Sequence, residues 1–179
     1  MKKEIGFTLE LDTKAVTDGG EFSGYASTFG NEDLGHDVVV PGAFAKSLEQ
    51  RPARKVKMLL SHDTTQPIGV WTSLAEDGKG LRATGQLILE TVKGKETYAL
   101  MRAGALDALS IGFKTIKDRF DRVKGTRFLE QLDLFEVSVV VFGMNKFATV
   151  NTVKSHKEAE EHARNLVRAI QRMTEALKQ

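Results

Sequence analysis

The sequence predicts a mainly β fold with peripheral helices (α+β), and three observations carry that reading. Apolar and polar residues alternate with a period of two in several short runs, the pattern of strands that bury one face. The chain has 16 glycines against 3 prolines, which supply turn signals between those runs. Helical composition is confined to a few stretches, the longest of them at the C-terminal end. A chain of 179 residues suits one core, so the expected organisation is a single β domain over residues 1–153 with an amphipathic helix, residues 154–179, appended to it.

Ile5, Phe7, Leu9 and Leu11 alternate with Glu4, Thr8 and Glu10 as a half-buried first strand, which ends at the turn signal Thr17-Asp18-Gly19-Gly20. Residues Phe22–Phe29 are its expected hairpin partner. A loop then leads to Val38-Val39-Val40, Pro41-Gly42 breaks that strand, and Ala43–Gln50 reads as a short helix. The apolar run Val56–Ser61 delivers His62 and Asp63 at its end. Ile68–Leu74 and Leu81–Leu89 are expected to form a hairpin about A-E-D-G-K-G, and Glu90–Ala103 a helix stopped by Gly104 as its C′ glycine. Asp107–Ile116 reads as the next strand, K-D-R-F-D-R-V-K-G-T-R as a charged hairpin segment, and Phe128–Phe142 as a long run covered on both faces from Leu132 onward. Beyond it, Ser155 and Glu158 make an S-x-x-E capping box, and Ala159, Ala163, Leu166, Ile170, Met173 and Leu177 recur as a heptad seam. About three heptads suit either docking on the β domain or pairing with a second subunit.

Composition removes several function classes. Hydrophobic residues at 41% and charged residues at 28% are ordinary for a soluble globular chain, and a formal charge of +2 is too small for a nucleic-acid surface. The one basic cluster, R-P-A-R-K-V-K at 51–57, reads as a solvated loop. With no cysteine there is no disulfide framework, thiolate nucleophile or cysteine metal site. H-K-E-A-E-E-H at 156–162 places its histidines on different sides of a helix and lacks H-E-x-x-H, and no phosphate loop or dinucleotide fingerprint is present, so neither metal nor cofactor is expected. The N-terminus alternates polar and apolar residues where a signal peptide would be continuously apolar, and no stretch approaches the ~18 apolar residues of a membrane span. The expectation is synthesis in the cytoplasm and no membrane partner.

Three polar residues stand out in apolar strand contexts. Ser110 lies in D-A-L-S-I-G-F, where Leu109, Ile111 and Phe113 take one face and Ser110, Gly112 and Lys114 the other. Gly112 on the serine's face would let a peptide or ester approach the hydroxyl closely. On its own this is also the pattern of a small polar residue on a solvated strand face. His62 follows M-L-L-S. Glu136 sits inside L-F-E-V-S-V with Leu134, Ser138 and Val140 expected on its face, a setting in which a carboxylate must be paired, protonated or at an edge. A structural partner such as an arginine and a catalytic partner both satisfy that demand. Nucleophilic hydrolysis needs a hydroxyl, an imidazole to take its proton and a third group to hold the imidazole, and the trio contains one of each. Ala108 replaces the first glycine of G-x-S-x-G, and the histidines after Ser110 lie only in the terminal helix, so an α/β-hydrolase order fits poorly.

Five ordered segments resemble the tailed-phage prohead (capsid maturation) proteases, serine peptidases related to the herpesvirus assemblins: G-Y-A-S-T-F-G-N at 24–31, D-V-V-V-P-G-A-F at 37–44, L-L-S-H-D-T-T-Q-P-I-G at 59–69, L-S-I-G-F at 109–113 and L-F-E-V-S-V-V at 134–140. The resemblance implies a small herpesvirus-protease-like β-barrel, with His62 as general base, Ser110 as nucleophile and Glu136 as third member. Asp63 and Asp133 are the fallback carboxylates. Where family members often show P-A-N after the last strand, this chain has Gly143-Met144-Asn145. The resemblance further implies packaging inside the immature capsid in the host cytoplasm, where the enzyme cuts scaffold segments or major capsid protein precursors and often itself. Competing readings are a noncatalytic assembly or scaffolding protein on the same barrel, self-associating through its terminal helix, and a small esterase on an unrelated barrel.

Overall fold

The computed structural model describes residues 19–152. The expected first strand at 5–11, the heptad helix at 154–179 and its two histidines lie outside the described residues. Within them the order is β1 (Glu21–Thr28), β2 (Asp37–Val39), α1 (Ala45–Gln50), β3 (Lys57–Leu60), β4 (Asp63–Glu76), β5 (Gly80–Leu87), α2 (Val92–Arg102), β6 (Ala108–Asp121), β7 (Thr126–Val140) and β8 (Val150–Thr152).

Strand β7 is the spine of the sheet. One edge pairs antiparallel with β6 along its whole length, from Asp121↔Thr126 to Ala108↔Val140. The other edge takes two short strands in parallel, β2 beside Arg127–Leu129 and β3 beside Glu136–Val139. From β3 the order runs on through β4, β5, β1 and β8. The sheet curls until residues 148–150 strap its ends together: Val150 pairs with Gly24 on β1, while the Leu109 N–H donates to the Ala148 carbonyl (3.0 Å) and the Val150 N–H to the Asp107 carbonyl (3.1 Å). The result is a small barrel-like sheet that leaves few open edges.

The inside of the curl is filled by the apolar positions of the alternation, with Phe22, Trp71, Leu109, Leu132, Val137 and Val139 all buried. Each such side chain stabilises the fold by roughly 1.5–3 kcal/mol. The Trp71 ring meets Phe22 edge-on at 5.5 Å between centroids, and its N–H donates to the Lys57 carbonyl (3.3 Å). Helix α2 forms as its sequence predicts. The Thr91 hydroxyl caps it by accepting from the Gly94 N–H (2.9 Å), and Gly104 follows the last turn at φ 73°, a left-handed conformation that glycine adopts without strain.

Two expectations are corrected and one is extended. The charged segment 117–127 is the expected hairpin, and β6 runs on through it to Asp121 while β7 starts at Thr126. Cross-strand contacts hold it, with Lys117 2.7 Å from Glu130 and the Arg119 guanidinium 4.2 Å above the Phe128 ring. Strand β4 starts at Asp63, five residues ahead of the expected Ile68. The basic stretch 51–57 is more than solvated loop: Arg51 is half-buried, donates to Asp133 (2.7 Å) and to the Leu134 carbonyl, and is followed by a single 3-10 turn and β3.

Candidate active site

Three adjacent strands position the site. On β6, Ser110 stands directly across from Ser138 of β7, and Gly112 across from Glu136, so all four share one face. On the far side of β7, β3 runs parallel with Leu60 beside Val139, and its next residues swing the chain back over the sheet. Ser61 and His62 are the two central residues of the β3–β4 hairpin, which closes at the Leu60↔Asp63 pair. Both have positive φ, 52° and 62°, as a type I′ turn demands. Asn-Gly is the usual solution there. Ser-His costs strain of the order of 1–3 kcal/mol per residue, and such strain concentrates at functional sites.

The strained turn brings the imidazole across β7. His62 Nε2 lies 2.9 Å from Ser110 Oγ, and His62 Nδ1 lies 2.6 Å from Glu136 Oε1. Ser138 completes the cluster: its hydroxyl donates to Glu136 Oε2 (2.6 Å) and accepts the His62 backbone N–H (3.0 Å). The exposures grade from solvent inward, with side chains 44% exposed at His62 and 12% at Glu136, and Ser138 fully buried. Glu136 therefore sits in a mostly dry setting with both oxygens hydrogen-bonded, the condition under which a buried carboxylate is tolerated.

The three sequence-selected residues are thus brought together, and the two fallback carboxylates are not. Asp63 turns away to accept from the Thr65 amide (2.8 Å), the Thr65 hydroxyl (2.6 Å) and Gln66 (2.6 Å). The Thr65 hydroxyl, first among these, holds the Asp63 carboxyl below the usual range. Asp133 is committed to Arg51.

Two details depart from the sequence reading. Leu134 does not share a face with Glu136. Phe135 is an extra residue on β7, a bulge between Gly112↔Glu136 and Phe113↔Leu134, so Leu134 points into the core while Glu136 points outward. Nor does Gly112 leave an opening for substrate. A Cβ there would lie 2.1 Å from Glu136 Oε1 and 2.8 Å from its Cγ, so the space above Gly112 belongs to the carboxylate. Gly112→Ala should accordingly push Glu136 aside. Cleavage is expected to fall about a hundredfold, the scale of a 1 Å misplacement, in a protein that still folds. A folded Gly112→Ala protein with wild-type kcat would show that Glu136 need not sit there.

Sequence reasoning missed Ser138, whose signal was a second small polar residue two positions after Glu136 in an otherwise apolar strand. Ser110 also borders a cleft lined by Asp33, Val39, Ile111, Phe113 and Met144. Among the described residues no cluster could hold a metal ion, and no helix is long and apolar enough to cross a membrane.

A hydroxyl, an imidazole and a carboxylate linked in that order on a curled β sheet define a class, the serine hydrolases. Within that class the chain is a serine peptidase. A model of the caudovirus prohead serine protease family matches residues 8–164, and the chain belongs to that family. It is similar to the prohead protease of Enterobacteria phage HK97, 38% identical over 159 residues that span 85% of this chain and 70% of the relative. Among solved structures, the bacteriophage T4 capsid assembly protease shares the fold: TM-score 0.53 at 14% identity, over 67% of this chain and 80% of that one. The varicella-zoster virus protease aligns over 73% of this chain at TM-score 0.48 and 16% identity, and the chain spans 62% of its length.

Proposed function

We propose that Ser110, His62 and Glu136 carry out peptide-bond hydrolysis on the precursor of a phage major capsid protein or on its scaffold segment, and on the chain itself, inside the immature capsid in the host cytoplasm. The observation that carries this reading is the pair of contacts from one imidazole, 2.9 Å to the Ser110 hydroxyl and 2.6 Å to the Glu136 carboxylate. His62 Nδ1–H donates to Glu136, which fixes the tautomer that leaves Nε2 free to accept the Ser110 proton. As that proton moves to Nε2, Ser110 Oγ attacks the scissile carbonyl carbon. The tetrahedral intermediate collapses as the imidazolium returns the proton to the leaving amine nitrogen, giving an acyl-enzyme. Water then adds by the same base, and the freed acid departs as Ser110 regains its proton.

The capsid substrate is supported by family membership and by the names of the relatives. Self-association through residues 159–177 belongs to the same proposal and is supported by their heptad spacing. The test is co-expression with a phage major capsid protein precursor, followed by mass spectrometry of the products, with an activated fluorophosphonate as a parallel probe. Defined cuts in the precursor and a covalent adduct on Ser110 are expected. A folded protein that takes no label and leaves the precursor intact would instead support a noncatalytic assembly role. Hydrolysis of short acyl esters with no cut in any capsid protein would support an esterase.

A further inference from the structure

We infer that Ser138 is a positioning residue, a hydroxyl that locks the imidazole and its orienting carboxylate into one rigid unit. This rests on the catalytic reading above and extends it by a fourth side chain.

The hydrogen bonds close a ring. The His62 backbone N–H donates to Ser138 Oγ (3.0 Å), Ser138 Oγ–H donates to Glu136 Oε2 (2.6 Å), and Glu136 Oε1 lies 2.6 Å from Nδ1 of His62. His62 is thus gripped at both ends, by its amide and by its ring. Each grip addresses a specific weakness. The backbone of His62 sits at φ 62°, a conformation that favours glycine, and the hydrogen bond its N–H donates to a buried hydroxyl helps to hold it there. The Glu136 side chain has several rotatable bonds and would hold an imidazole poorly from one oxygen alone. With its second oxygen anchored to a fully buried serine on the same strand, it cannot swing. The hydroxyl has one proton to give, and with the His62 amide donating to it, that proton goes to the carboxylate.

No alternative partner for Ser138 is needed to explain its burial. Its backbone is paired across to Ser110 by sheet register, which places the positioning hydroxyl and the proposed nucleophile opposite one another on neighbouring strands.

The experiment is a kinetic cycle of Ser138→Ala, Glu136→Gln and the double variant, measured by cleavage of a capsid-precursor peptide. Ser138→Ala is expected to lower kcat by about ten- to a hundredfold, the scale of one hydrogen bond to a charged group, with little change in KM. In the Glu136→Gln background the same substitution should bring no further loss and return part of the rate, since there the hydroxyl holds an amide and no longer a carboxylate. Losses that multiply independently, or a Ser138→Ala enzyme with wild-type kcat, would overturn the inference. If Ser138→Ala does not fold, Ser138→Cys takes its place, because it keeps the volume and loses the strong donor. A separate readout is the downfield proton resonance of His62 Nδ1–H in catalytically inert Ser110→Ala protein, expected to broaden or shift when Ser138→Ala is added. Cleavage that survives Ser110→Ala would sink the catalytic reading itself, an outcome distinct from any of these.

Discussion

Ser110→Ala is expected to reduce capsid-precursor cleavage by about four or more powers of ten, the loss that follows removal of a triad nucleophile. The reasoning starts from what the oxygen does. It is the atom that would carry the acyl group, and without it the only remaining route is direct attack by water, with His62 and Glu136 idle because they act through that oxygen. The fold should tolerate the change. Ser110 Oγ contacts His62 Nε2 at the surface of the sheet, and the apolar face of β6 at Leu109, Ile111 and Phe113 stays seated in the core. The measurement is initial cleavage rate on a precursor peptide, with melting temperature alongside. A variant whose rate stays within about tenfold of wild type while it melts normally would remove Ser110 from the mechanism.

Much of this arrangement was legible before the fold was known, and the legible part has a common physical origin. Ser110, His62 and Glu136 each break an apolar strand pattern, and a polar group in such a run must find a partner, so the three could be picked out one at a time. Their mutual geometry was not legible, because it depends on non-local pairing. The Ser110↔Ser138 register and the Phe135 bulge that turns Leu134 away from Glu136 are properties of two strands meeting, and neither leaves a mark in the alternation of either one. The β3–β4 hairpin was hidden for a different reason. Its turn residues are Ser61 and His62, with no Asn-Gly or Asp-Gly to announce it, and the second position is taken by the proposed general base. The length of β6 in the charged hairpin was less legible because residues 117–120 are exposed on both faces, which removes the apolar half of the strand signal. Gly112 was noticed for the right property and given the wrong beneficiary. The missing side chain makes room for a carboxylate that arrives from the neighbouring strand.

Glu136→Gln should be the second most damaging single change at the site, costing about three to four powers of ten in kcat with little effect on stability. Glutamine matches glutamate in shape, so the expected damage comes from proton placement. The amide has one acceptor end and one donor end, and the surroundings choose between them. Ser138 Oγ already takes the His62 backbone N–H and has its own proton to give, so it favours the amide oxygen at the position of Glu136 Oε2. The amide nitrogen then faces His62 Nδ1 in place of Oε1 and donates to it. An imidazole that accepts at Nδ1 carries its proton on Nε2, directed at Ser110, and cannot take the serine proton. The wrong tautomer would thus be enforced by the same hydroxyl that holds the right one in the wild type. A Glu136→Gln rate within about tenfold of wild type would assign the orienting role elsewhere. Partial recovery on adding Ser138→Ala, which frees the amide to rotate, would be the clearest sign that orientation rather than charge is what Glu136 supplies.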